Sequence, residues 1–289
     1  MKNDADSVHV LETGDVSLPR RARDVNKYDC GRVLVVGGSV GYTGAPVLCA
    51  AGALRAGAGL VWAAVPQAIY PIAAGKLLEA MPFPLPDDGS RFSEAAVPVL
   101  LERLQKCECC VLGPGLGRSE ALTALVRSVL ENCAVPLVLD ADALYAVSRD
   151  KTMLQSARCP VVVTPHGGEF TRLGGALTGD PAADARAFAG QYGCVTVLKG
   201  PETAVAFPDG CVLLSRFGNP GMAAGGAGDV LSGLIGGLAA QLPLRDAVPA
   251  AVCVHGLAGD LCAGRFGEYS MLPGDMIEAI PEVMKTMIR

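Results

Sequence analysis

Asp229 is the only ionisable residue between Phe217 and Gly233, a stretch that opens with turn formers, passes through Gly225, Gly226 and Gly228, and then meets an apolar run from Val230 to Ala240. That pattern reads as a loop feeding a helix N-terminus. Glycines there let the backbone come close to a ligand, while the unpaired amides of the first turn carry partial positive charge. A phosphate, or charge developing on one, is the natural occupant. Asp229 has two readings at such a place. It can cap the helix, the commoner use of aspartate there, or it can take a proton from a hydroxyl whose incoming phosphoryl group the glycine amides neutralise.

Other residues of chemical interest also follow apolar strands. Asp140-Ala141-Asp142 comes directly after Leu137–Leu139. Carboxylates at a sheet edge meet Mg²⁺ through water or a ligand oxygen, although Asp142 equally suits a helix cap. His166 and Glu169 lie three apart after the strand Val161–Thr164. Glu169 suits a cap in a first helical turn or a metal or phosphate contact. Lys199-Gly200-Pro201-Glu202-Thr203 closes the strand Val195–Leu198, so Lys199 is either a solvated charge or a partner for a nucleotide phosphate. His255 sits in an apolar helical run, where a satisfied core histidine is the ordinary finding.

The elements that must position these residues alternate. Strands are expected at Arg32–Val36, Leu60–Val65, Glu79–Phe83 and Cys109–Leu112. Helices are expected at Ala45–Gly57, Glu94–Gln105, Glu120–Glu131, Asp246–Ala263 and from Pro273 onward. Thr203–Phe207 and Cys211–Ser215 read as a hairpin around Pro208-Asp209-Gly210. Strands trading places with helices at this rhythm imply an α/β fold, a mostly parallel sheet with helices on both faces. Residues 1–25 read as an entry segment and residues 26–289 as one domain. The loop Gly37–Gly44 after the first of these strands lacks the G-x-G-x-x-G spacing of a dinucleotide fingerprint, and Gly113–Gly117 lacks the Gly-Lys-Ser/Thr of a P-loop.

The totals narrow the function classes. The chain has 289 residues, of which 51% are hydrophobic and 18% charged, enough for one large core. A net charge of -5 and a pI near 5.3 leave no basic footprint for nucleic acid or a membrane surface. The acidic, polar N-terminus is not a signal or transit peptide. Eleven scattered cysteines and only three histidines argue against a zinc or disulfide framework and for a reducing cytoplasm.

Taken together, the post-strand loops match one pattern. Lys27 to Ser39, Ala53 to Val61, Gly113-Pro114-Gly115-Leu116-Gly117, Leu139 to Leu144, Thr164-Pro165-His166-Gly167-Gly168-Glu169-Phe170 and Asn219-Pro220-Gly221-Met222-Ala223 to Asp229 resemble the ribokinase-like superfamily. The resemblance is closer to its ADP/ATP-dependent NAD(P)H-hydrate dehydratases and covers nearly the whole chain. It implies repair of NADH-hydrate and NADPH-hydrate: the hydroxyl added to the reduced nicotinamide ring is phosphorylated and phosphate is then eliminated. It further implies that Asp229 is the base and that Gly225, Gly226, Ala227 and Gly228 form the anion hole. Lys199, Gly200, Pro201, Glu202 and Thr203, with Gly228, would contact the nucleotide. Ala45, Gly117 and His166 would line the hydrate pocket, and Glu169 and Asp140 would act near Mg²⁺. A homotetramer acting beside a separate NAD(P)H-hydrate epimerase is implied too, since the first 30 residues are too short to hold an epimerase domain. Relatives usually carry threonine where Ala224 stands and serine or threonine where Ala227 stands. Ala227 matches the kinase version of the loop, which keeps a small-molecule kinase for a hydroxymethyl vitamin precursor or a sugar as the alternative.

Overall fold

The structure, a computed structural model, describes residues 8–289. Residues 1–7 of the expected entry segment lie outside the described residues. In chain order the first half forms β1 (Val8–Val10), β2 (Arg32–Val36), α1 (Gly44–Arg55), β3 (Leu60–Pro66), α2 (Tyr70–Lys76), β4 (Met81–Leu85) and α3 (Ala96–Leu104). Next come β5 (Cys109–Leu112), α4 (Glu120–Asn132), β6 (Leu137–Leu139), α5 (Ala141–Arg149), α6 (Thr152–Gln155), β7 (Val161–Val163) and α7 (Gly167–Arg172). The remainder is α8 (Pro181–Tyr192), β8 (Val195–Leu198), β9 (Thr203–Ala206), β10 (Val212–Ser215), α9 (Ala227–Ala239), α10 (Leu244–Phe266) and α11 (Pro273–Met287).

The strands form a single ten-stranded sheet in the order β1-β10-β9-β8-β7-β6-β5-β2-β3-β4. Pairing from β8 through β4 is parallel, and β9 runs antiparallel to both its neighbours. The expected hairpin is therefore present as β9 and β10. β1 adds a short parallel strand beside β10, so residues of the entry segment join the sheet, and Leu11, Val16 and Leu18 behind it are buried.

The β-branched and leucine-rich strands are buried on both faces, as parallel strands covered by crossover helices must be. Their alternation divides the core. Val33 and Val35 face the side covered by α1, α9, α10 and α11, while Leu34 and Val36 face the side covered by α3, α4, α5 and α8. α10 is the one described helix long and apolar enough to cross a membrane, but Val248, Ala251, Val254 and Ala258 bury it in this core.

Sequence order reverses at β2, which pairs with β3 on one side and β5 on the other. In open α/β sheets ligands gather beyond the carboxyl ends of strands near such a reversal. Here that edge carries the loops after β2, β5, β6, β7 and β8, and thus Asp140, His166, Glu169 and Lys199. The strand expected at Glu79–Phe83 lies at Met81–Leu85 instead, displaced by two residues. It pairs only with β3, at the sheet edge, where Pro82 and Pro84 can leave their missing donors on the open side.

Candidate active site

The N-terminus of α9 hangs over this sheet edge because α9 is locked against α1. A Cβ added at Gly233 would come within 2.0 Å of the Cys49 carbonyl oxygen, and one at Gly237 within 2.5 Å of that of Ala53. Only glycines allow helix backbones to approach so closely. The first residue before the helix is Gly226, with φ 106°, in the left-handed region that favours glycine. A side chain there would also strike Leu48 Cδ1, at 2.5 Å.

This corrects the capping reading of Asp229. Gly226 occupies the cap, no side chain caps the helix, and Asp229 stands in the first turn. Its carboxyl is instead part of a charged group at the sheet edge. Burial pushes its pKa up to about 7, the carboxylates of Asp140 and Asp142 push the same way, and the Lys199 ammonium opposes them. A carboxyl poised near neutrality is suited to accept a proton at working pH.

Lys199 faces the same turn: a Cβ at Gly228 would lie 3.3 Å from its Nζ and 4.0 Å from Asp140 Oδ2. Lys199 Nζ donates to Asp140 Oδ1 at 3.1 Å and stands 4.0 Å from Glu169 Oε2. Burial works against the ammonium, but Asp140, Glu169 and Asp229 together raise its pKa above the usual lysine value. Asp140 is 2% exposed and also accepts from Thr164 Oγ1 at 2.8 Å. Between Asp140 and Asp142, Ala141 holds φ 47°, a left-handed conformation that a residue with a Cβ rarely adopts.

Asp142 departs from the simpler role open to it in the sequence, whereas His255 keeps its own. Asp142 does not cap α5; it accepts from the Gly117 amide at 2.9 Å and from Arg118 Nε at 3.0 Å, fastening the end of the Gly113–Gly117 loop. His255 is a satisfied histidine on an apolar helix, as expected. Burial lowers its pKa to about 4, so it is neutral, and its Nε2 lies 2.8 Å from the Ala227 carbonyl oxygen. Since that oxygen only accepts, the proton sits on Nε2. Glu169 does close a capping pair at α7: the His166 amide donates to Glu169 Oε2 at 3.0 Å, and the Gly168 amide donates to His166 Nδ1 at 3.0 Å.

A cleft of about 700 Å³ opens beside the turn at Ala227 and Gly228. Its floor includes Lys199, Gly200, Pro201 and Thr203, and its wall Phe217–Pro220 and Met222–Ala224, with Ala227, Gly228, His255 and Gly256 closing it. Five of the six residues expected to contact nucleotide, Lys199, Gly200, Pro201, Thr203 and Gly228, thus meet there. Glu202 turns away, accepting from Arg216 Nε at 2.6 Å and lining a separate cavity of about 350 Å³. His166, expected on the hydrate side, lines the 700 Å³ cleft. Ala45 and Gly117 do not; a Cβ at Gly115 would come within 2.9 Å of Ala45 Cβ, which places Ala45 against the Gly113–Gly117 loop.

Among the described residues no three His, Cys, Asp or Glu side chains stand together as a metal cage. Mg²⁺ is usually held by one or two carboxylates together with nucleotide phosphates and water. Asp140 and Glu169 fit that manner of binding as hard oxygen donors beside the anion turn, with Lys199 already between them.

Comparison with known proteins agrees with this geometry. The family model described as NAD(P)H-hydrate dehydratase matches residues 33–282. Over 277 residues the chain is 44% identical to the bifunctional NAD(P)H-hydrate repair enzyme Nnr of Moorella thermoacetica, covering 93% of this chain and 52% of that protein. It is 35% identical to the ADP-dependent (S)-NAD(P)H-hydrate dehydratase of Xanthomonas campestris, covering 94% of each. It superposes with a TM-score of 0.83 on the ADP/ATP-dependent NAD(P)H-hydrate dehydratase of Bacillus subtilis co-crystallised with ATP/Mg²⁺, at 30% identity over 97% of this chain and 99% of that one. The chain spans about half the length of the bifunctional relatives it matches. It has the ribokinase-like fold of its structural neighbours and belongs to the NAD(P)H-hydrate dehydratase family.

Proposed function

We propose that the protein restores NADH and NADPH from the S-epimers of NADH-hydrate and NADPH-hydrate, using ADP or ATP. The observation that carries this reading is Asp229, a carboxyl poised near pH 7 under the influence of Lys199 and next in sequence to Gly228, which lines a cleft of nucleotide size together with Ala227 and Lys199. Hydroxide leaves poorly from the hydrated ring. Asp229 takes the proton of the ring hydroxyl as its oxygen attacks the terminal phosphorus, and the bond from that phosphorus to the bridging oxygen breaks. Amides of the turn and the Lys199 ammonium neutralise the phosphoryl oxygens, so that positioning and electrostatics do most of the catalysis. The ring nitrogen's lone pair then expels phosphate, and loss of a ring proton restores the double bond.

Mg²⁺, brought with the nucleotide and held near Asp140 and Glu169, would supply further charge on the phosphates. Ala224 and Ala227 leave the phosphate contacts of the turn to backbone. Ala45 and Gly117 would border the hydrate on the Asp229 side, with His166 between the two substrates. The same reading makes the protein a cytoplasmic homotetramer that acts on the S-epimer, with the R-epimer reaching it through an NAD(P)H-hydrate epimerase activity.

The test is incubation with purified hydrate, ADP or ATP, and Mg²⁺. Recovery of nicotinamide absorbance matched by phosphate release supports the reading. A stable phosphorylated product without that recovery would instead make it a small-molecule kinase, and absence of turnover with every hydrate would refute it.

A further inference from the structure

The chain between β10 and α9 walls the cleft, and α10 is the surface on which it lies. Phe217 rests on Gly256, where a Cβ would come within 2.6 Å of Phe217 Cβ; Met222 rests on Gly259, where a Cβ would meet its sulfur at 2.3 Å. Next to that second glycine stands Asp260. Its Oδ2 accepts from the Gly218 amide at 2.9 Å and its Oδ1 from Asn219 Nδ2 at 3.1 Å. Asn219 Oδ1 in turn accepts from the Gly221 amide at 3.0 Å. At the other end of the same segment, His255 Nε2 donates to the Ala227 carbonyl. Both ends of the wall are thereby fastened to one buried helix.

Gly218, Asn219 and Pro220 line the cleft, whereas Asp260 does not. The wall has no strand or long helix of its own, only the 3-10 turn Pro220–Met222. Its shape is therefore set from outside, and the Asp260 carboxylate supplies two of the hydrogen bonds that set it. A charged acceptor serving two donors is stronger than a neutral one, so losing it frees the wall to move.

We propose that Asp260 is a positioning residue that sets nucleotide affinity by holding the Gly218–Gly221 wall in its binding shape, with Asn219 as the relay. The inference rests on the cleft being the nucleotide site, as in the function proposed above. It separates two parts of the site: the wall answers to Asp260, whereas the phosphoryl-transfer turn answers to α9.

The test measures ADP and ATP binding by calorimetry for the wild-type protein, Asp260→Ala, Asn219→Ala and the double variant, alongside steady-state turnover of hydrate. Each single variant is expected to weaken nucleotide binding about tenfold, the double variant no further, with kcat within about threefold and the hydrate KM unchanged. A merely structural role would lower the thermal midpoint and the active fraction without splitting nucleotide KM from kcat. Asp260→Asn, which keeps an acceptor for Gly218 but not for Asn219, gives an intermediate loss and serves if Asp260→Ala does not fold. Unchanged nucleotide affinity in the Asp260 variants, or single effects that add in the double variant, would overturn the inference alone. Failure of the wild-type protein to bind either nucleotide would overturn it together with the nucleotide reading of the cleft.

Discussion

Replacing Asp229 by asparagine should make the protein more stable and inactive, and the gain in stability should grow with pH. The folded carboxyl has its pKa near 7, against 3.8 for an unperturbed aspartate. Between those values the folded chain holds a proton that the unfolded chain has lost. Stability therefore falls as pH rises from about 4 to about 7 and stays at the lower level above. A shift of about three units, at about 1.36 kcal/mol each, amounts to about 4 kcal/mol. Asparagine mimics the neutral acid and does not titrate. The variant should thus match the wild type near pH 4, exceed it by about 2 kcal/mol at pH 5, and by up to about 4 kcal/mol at pH 8. Urea unfolding at those three pH values measures the gap. In parallel, turnover should fall by about 10²- to 10⁴-fold while nucleotide affinity stays within about threefold. A gap that is absent at pH 8, or constant with pH, would mean that Asp229 is not held in the buried charged group described here. Near-normal turnover would remove it from the mechanism.

Three other outcomes follow from the same geometry. For the wild-type enzyme, log kcat/KM should climb with unit slope as pH rises to about 7 and then level, with no second ionisation from His255, whose pKa lies near 4; a bell with a limb near pH 6 would contradict the neutral histidine. Lys199→Met leaves the buried Asp140 carboxylate without its cation, and should destabilise the fold by about 3 kcal/mol while raising the nucleotide KM by at least about tenfold; a destabilised variant with wild-type KM would mean that Asp140 and not the ligand is its only concern. Gly226→Ala forces a Cβ into a left-handed position and against Leu48, so it should lower stability by about 2 kcal/mol and kcat by more than tenfold, as read by thermal unfolding and initial rates; an unaffected kcat would show that the turn need not keep this shape.

The sheet was legible because its strands are short β-branched runs separated by glycine loops: Arg32–Val36, Val161–Val163 and Val195–Leu198 declare themselves by residue type. β1 did not, because Val8-His9-Val10 is a three-residue strand whose only reason to form is the edge of β10, far away in sequence. α2 is built largely from alanine, glycine and proline and has little periodicity to read. In the site, residue identities were readable but their partners were not. Asp142 and Asp229 both occupy helix starts where a cap is the local choice, and both are diverted by distant contacts, one to Gly117 and Arg118, the other to the carboxylates and lysine of the sheet edge. His255 looks like core in sequence because its helix is apolar; only the approach of Ala227, 28 residues earlier, gives its ring a partner. A polar pair, His255 and Asp260, in the apolar stretch of α10 between Asp246 and Arg265 was the one available signal.

The interlocking of α9 with α1 through Gly233 and Gly237 has an evolutionary consequence. With two backbones in direct contact, the Gly226–Gly228 turn inherits its location from the tightly packed seam between α1 and α9. On the proposed mechanism, substrate preference can then drift through the surrounding segments while the point at which phosphorus meets oxygen stays where the glycine seam put it.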